Sequence, residues 1–170
     1  TENVSQVLRE LRQIDRPVRK VMIAGGGNVG VRVAHSISGS MALKIIDHNK
    51  VRCEKISNIL GSNALVIHGD VTDEALLTEE NVADIDMFVA LTNDDENNIM
   101  SALLAKRLGA KRVMSLINRK AYAELVEGGN IDITITPSHA TVGELLKYIR
   151  RGDIEAVHSL KRGAAEALGI

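Results

Sequence analysis

Gly25, Gly27 and Gly30 stand at fixed spacing inside "VMIAGGGNVGVRVAHSI", residues 21–37. They close an apolar run and open a segment of helical periodicity. A lone Gly-x-Gly-x-x-Gly is a weak signal, and its context decides how far it can be read. Here a strand-like run precedes and a helix-like run follows. Asp47 then ends the next apolar run, 17 residues after Gly30. An acid roughly 20 residues beyond such glycines is the one that reads an adenosine ribose. In that arrangement Gly25 allows a tight turn, Gly27 lets the backbone approach a pyrophosphate, and Gly30 lets helix and strand pack closely. Asn28 and Val29 lie at the helix N-terminus, where free N–H groups and the positive end of the dipole face phosphate. Asp47 would accept from both ribose hydroxyls and repel a 2′-phosphate, which favours NAD over NADP. His48, Lys50 and Arg52 follow closely and weaken that exclusion. The bland alternatives are a turn that holds nothing and an Asp47 that only caps a helix.

Further polar residues fall at the ends of later apolar runs. Asp70, in "HGD" at 68–70, is placed either to accept from an adenine amine or to cap the next helix. Thr92 and Asn93, in "LTNDDENN" at 91–98, would lie at the carboxyl edge of a sheet, where open α/β folds bind ligands. Asp94 and Asp95 read as caps that complement the dipole of the following helix.

Residues for catalysis do not gather in the same way. A dehydrogenase needs a proton donor near the nicotinamide. Tyr122 and Tyr148 are followed four residues on by Val126 and Gly152, so neither forms a Tyr-x-x-x-Lys pair. The five histidines, at 35, 48, 68, 139 and 158, are scattered. There are no clustered metal ligands and no Gly-x-Ser-x-Gly elbow. Nothing remains in the chain to form a substrate domain.

The elements that must position these residues alternate. "RKVMIA" (19–24), "ALKIID" (42–47), "NALVIHGD" (63–70), "DMFVALT" (86–92), "KRVMSLIN" (111–118) and "DITITP" (132–137) read as strands. Between and after them come the helices "NVGVRVAHSISG" (28–39), "HNKVRCEKISNIL" (48–60), "TDEALLTEENV" (72–82, capped by Thr72 or Asp73), "DDENNIMSALLAKRLG" (94–109), "KAYAELVEGG" (120–129) and "SHATVGELLKYIRRG" (138–152). This alternation predicts right-handed crossovers and an α/β fold, a Rossmann-like doubly wound parallel sheet of about six strands. Residues 17–152 form that lobe. Residues 1–16 carry Val4, Val7, Leu8, Leu11 and Ile14 at helical spacing, stopped by Pro17. They are either the tail of a preceding module or a packing helix. Residues 153–170 read as the start of a truncated further lobe. The helix around Ile99–Leu108 is apolar around much of its circumference, which fits either deep burial or a subunit interface.

Bulk composition narrows the classes. The chain has 170 residues and a net charge of −1, so no general basic field favours nucleic acid. Its aromatic residues are Phe88, Tyr122 and Tyr148, too few for base-stacking surfaces. Cys53 is the sole cysteine, which fits a reducing compartment. No apolar run reaches the roughly 18 residues of a membrane span.

"VMIAGGGNVG", "KIIDHNK", "HGDVTD", "FVALTNDDENNIMSALLAKRLGAKRV" and "IDITITP" together resemble the RCK (KTN) domains that regulate potassium channels and transporters. The likeness covers about residues 18–160, and "TNDDENNIMSALLAKRLGAK" is its most specific part. It implies regulation without catalysis. It implies NAD or NADH at the glycine loop, with ADP or ATP as further candidates. On this sequence the family's roles fall on Gly25, Gly27 and Gly30 for phosphate, Asp47 for ribose and Asp70 with Val71 for adenine. Thr92 with Asn93 would face the second half of the ligand, and Arg119 would reach phosphate across the cleft. The resemblance further implies a homo-oligomer, dimer or tetramer, with the helix near 96–108 as an assembly interface and that near 140–151 as a crossover to a partner subunit. The chain resembles the second Rossmann-like lobe of a tandem pair. Its partner would be a membrane potassium-transporter subunit of TrkH or TrkG type, reached from the cytoplasm at the inner face of the plasma membrane. Two other readings stay open: the cofactor domain of a small NAD-dependent oxidoreductase, and a scaffold that no longer binds nucleotide.

Overall fold

A computed structural model of the chain describes residues 18–136. The expected helices at 1–16 and 138–152, and the segment 153–170, lie outside the described residues. The apolar runs form strands β1 (Lys20–Ala24), β2 (Ala42–Asp47), β3 (Leu65–His68), β4 (Met87–Ala90), β5 (Arg112–Leu116) and β6 (Ile133–Ile135). They make one six-stranded sheet in the order β3-β2-β1-β4-β5-β6, every neighbouring pair parallel. Helices α1 (Asn28–Ile37), α2 (Lys50–Leu60), α3 (Glu74–Glu79), α4 (Asp95–Arg107) and α5 (Lys120–Val126) join them. The expected Rossmann-like α/β architecture is therefore present.

The central strands are apolar at consecutive positions because both sheet faces are covered. Val21, Ile23, Ile45 and Val89 point to one face, where Val33, Ala34 and Ile37 of α1 and Ile56 and Leu60 of α2 pack on them. Met22, Ala24, Ile46, Phe88 and Val113 point to the other, against Leu77 of α3 and Ala102 and Ala105 of α4. A fully buried aliphatic or Phe side chain contributes about 1.5–3 kcal/mol, so these two layers fix the sheet. The strand order reverses between β1 and β4, and that switch opens a crevice at their carboxyl ends.

Several local expectations shift. The third helix ends at Glu79; Asn81 then turns left-handed (φ 56°) and a 3-10 turn covers Val82–Asp84. Its cap is Asp73, whose side chain accepts from the N–H groups of Ala75 and Leu76. Asp94 caps α4 by accepting from Asn97 N, but Asp95 is no cap. It is buried and faces the loop after β5, as described below. The inner face of α4 is small and polar: Asn98, Ser101, Ala102 and Ala105 are buried, while Ile99, Leu103, Leu104 and Leu108 are partly buried and Met100 is exposed. Deep burial of the whole helix is thus not what its apolar residues reflect.

Candidate functional site

A cleft of about 1530 Å³ lies over the switch between β1 and β4. This exceeds the roughly 300–1,000 Å³ of common small-molecule sites and suits an extended ligand. Its floor is the turn from β1 to α1. Gly25 has φ +103°, and a Cβ there would stand 2.8 Å from Thr92 N and 2.9 Å from the Leu91 carbonyl carbon. Here the two halves of the sheet approach too closely for any side chain. A Cβ on Gly30 would run into the Gly25 carbonyl oxygen, so α1 sits directly on the turn. Gly27 differs, because a Cβ there would meet nothing within 4 Å. Its backbone (φ −69°, ψ −171°) is open to any residue. The space above it is the mouth of the cleft, at the N-terminus of α1. Gly26 lies against Ile56 and Asp47, a packing role that the motif spacing does not assign.

Asp47 ends β2 with its carboxylate turned to the glycine loop. One oxygen accepts from Gly26 N at 2.7 Å and from Arg52 Nη1 at 2.9 Å. The other accepts from Asn49 N at 2.8 Å. Burial by itself would raise the Asp47 pKa, but the Asn49 and Gly26 N–H groups and the Arg52 guanidinium overcome it. They hold the carboxyl below its usual range. Asp47 is not the cap of α2. That is Asn49, whose side chain accepts from Arg52 N.

Asp70 is exposed at the rim, where it accepts from the backbone N–H and the hydroxyl of Thr72. That closes an Asx turn and leaves the helix cap to Asp73. Val71 lines the cleft beside it. On the far wall Thr92 and Asn93 also line it, and Thr92 is held by Asn98 of α4. The buried Asn98 amide accepts from Thr92 N (2.8 Å) and Thr92 Oγ1 (2.7 Å), and donates to Thr92 O (3.0 Å) and Leu116 O (2.8 Å). Asp95 does the same for the neighbouring loop, accepting from Asn118 N, Asn118 Nδ2 and Arg119 N. One turn of α4 thereby fixes the carboxyl ends of both β4 and β5.

Gly25, Gly27, Asn28, Val29, Asp47, Asp70, Val71, Thr92 and Asn93 thus share one cleft, with Gly30 packed beneath it. Arg119 does not join them. Its guanidinium turns away to Glu96 (3.2 Å) and the Tyr122 hydroxyl (2.9 Å), and it lies 5.0 Å from the Tyr122 ring centroid. A loop cation takes the nearest carboxylate and aromatic face, and both lie outside the cleft. Asn118, its neighbour, lines the cleft instead. Sequence reasoning also missed Arg32 and Lys55 on the cleft wall and Asn98 behind it. Arg32 and Lys55 carry no motif, and Asn98 is one of three asparagines in "NDDENN".

A family model described as the TrkA-N domain matches residues 21–137. The chain belongs to the TrkA-N domain family. This TrkA-N domain is 54% identical over 166 residues to the Trk system potassium uptake protein TrkA of Halomonas elongata, covering 98% of this chain and 36% of that protein. It is 49% identical over 168 residues to TrkA of Vibrio alginolyticus, again 36% of that protein. The chain spans about a third of the length of these curated relatives. Among solved structures, the GsuK channel bound to NAD matches with a TM-score of 0.60 at 17% identity, over 78% of this chain and 25% of that one. GsuK bound to ADP matches with a TM-score of 0.54 at 18% identity, over 77% and 36%. At these identities the likeness is one of fold. Among the described residues of this TrkA-N domain no helix is long and apolar enough to cross a membrane.

Proposed function

We propose that this TrkA-N domain is the nucleotide-sensing lobe of a TrkA-type regulator of potassium uptake. NAD or NADH would occupy the cleft, with ADP or ATP as smaller competitors. The observation that carries this reading is the glycine loop and Asp47 meeting at the β1/β4 switch point, in a chain of the TrkA-N family. The pyrophosphate would lie over Gly27 and the α1 N-terminus. The adenosine ribose would take Asp47, with the adenine toward Asp70 and Val71.

The far half of the dinucleotide would reach Thr92 and Asn93. Thr92 is bonded to Asn98 of α4, the helix whose outer side the resemblance assigns to subunit assembly. Ligand contacts at Thr92 would therefore bias the position of α4. A ligand that binds one assembly state better shifts the population toward it, and no bond need be made or broken. The subunit would serve at the cytoplasmic face of a membrane transporter of TrkH or TrkG type. Tyr122 supports binding over hydride chemistry, because its hydroxyl accepts from Arg119 and donates to Glu96 outside the cleft.

A calorimetric panel of NAD, NADH, NADP, ADP and ATP tests the reading. Saturable binding of an adenine nucleotide without turnover is expected. No binding by any of them would reject sensing by this lobe.

A further inference from the structure

The ribose-binding acid is not bare. The Asp47 side chain is 1% exposed, and the Arg52 side chain whose guanidinium pairs with it is 41% exposed. A ligand entering over α2 meets the cation before the carboxylate. We infer that Arg52, with Lys55 beside it, is a 2′-phosphate reader, so that the cleft accepts NADP(H)-type ligands as well as NAD(H). This rests on the reading of the cleft as a dinucleotide site and concerns what its adenosine end selects.

Acceptor geometry on Asp47 supports the assignment. A carboxylate offers roughly four acceptor positions. Gly26 N, Asn49 N and Arg52 Nη1 already take three of them. A ribose diol read by both hydroxyls needs Arg52 to leave. A 2′-phosphate does not. The guanidinium is a planar fork of several donors, and its contact with Asp47 uses Nη1 alone, so the rest can grip a phosphate while that pair stays intact. Lys55 lies three residues on, on the same face of α2, and also lines the cleft. His48 stands at the same mouth, its Nδ1 4.0 Å from the Asp47 carboxylate. An acid that would repel a 2′-phosphate when exposed is therefore masked by the Arg52 guanidinium, with the Lys55 cation on the same cleft wall.

The test is titration of the 170-residue chain and its Arg52→Gln and Arg52→Lys variants with NADH and NADPH, read by calorimetry. For the unaltered chain, NADPH affinity within about tenfold of NADH is expected. Arg52→Gln should weaken NADPH at least about tenfold, through loss of a charge-assisted contact to the 2′-phosphate, while NADH affinity holds or rises because the Asp47 carboxylate is freed for the ribose. Arg52→Lys should keep most NADPH affinity, because a cation remains at Asp47. NADPH more than about tenfold weaker than NADH in the unaltered chain would overturn the inference. So would parallel losses of both ligands in Arg52→Gln, which would make Arg52 merely structural. Binding of neither ligand would overturn the dinucleotide reading itself, an outcome distinct from a selective failure of NADPH.

Discussion

At Gly27 a Cβ would meet nothing of the protein within 4 Å and would stand where the proposed pyrophosphate lies, which makes it the cleanest single position in the cleft. Gly27→Val is expected to abolish dinucleotide binding by calorimetry while lowering the melting temperature by no more than about 2–4 °C, the effect of a weaker N-cap, since its φ and ψ suit valine and a Cβ there meets nothing within 4 Å. Gly30→Ala should do the opposite first. Its methyl would press on the Gly25 carbonyl, an overpacking that costs about 1–3 kcal/mol. At about 2–4 °C per kcal/mol for a chain of this size, the melt would report it. Asp47→Ala should weaken NAD by about 1–3 kcal/mol, the scale of hydrogen bonds to a charged group. Unchanged affinity would move the ribose elsewhere. The meeting of these glycines and Asp47 at one cleft was legible in the sequence because it follows from spacing along one β-α-β unit. The cover over Asp47 was not, because it needs Arg52 to fold back from the first turn of α2 onto the end of β2. Arg119 misled for a related reason. Its place in the chain is near the cleft, but its charge is settled by Glu96 and Tyr122.

At the level of elements, α4 links the cleft to the outside of the lobe. Its first turn reaches Thr92 through Asn98 and the Asn118–Arg119 loop through Asp95. Asn98→Leu would strand the Thr92 N–H and the Leu116 carbonyl inside the protein. The expected cost is about 2–3 kcal/mol in chemical denaturation, together with weaker nucleotide binding through a loosened Thr92. Full stability in that variant would contradict the role given to Asn98. The helix itself was plain in the sequence, from its acids at one end and Gly109 at the other. The division of labour between Asp94 and Asp95 was not. Adjacent acids look alike in a string; here Asp94 is extended (φ −122°, ψ 117°) and caps, while Asp95 is the first helical residue and turns inward. The apolar wrap of α4 was equally ambiguous, since small residues face the sheet and larger ones take the flanks.

For the whole molecule, a doubly wound parallel sheet of about six strands followed from the regular alternation of apolar runs and helices, and the six parallel strands match it. What alternation does not disclose is how the edge opposite the cleft is closed. There Asp86 accepts from Arg19 N and Lys20 N at 2.9 Å each and pairs with Lys111 Nζ at 2.6 Å, joining the starts of β1, β4 and β5. Burial would raise its pKa, but Lys111 and the two N–H groups pull it down to about 2. Because the folded value lies below the ordinary 3.8, the stabilisation is full above about pH 4 and is lost as pH falls toward 2. Asp86→Asn should therefore cost about 2 kcal/mol at neutral pH, with the gap from the unaltered chain closing in acid. Nucleotide affinity should be unaffected, since Asp86 lies at the far edge of the sheet. Whether this lobe holds a dinucleotide over its glycine loop is decided by calorimetric titration of NADH into the unaltered chain and Gly27→Val side by side. Saturable one-to-one binding is expected in the first and none in the second. Equal affinity in both, or no heat from either, would contradict it.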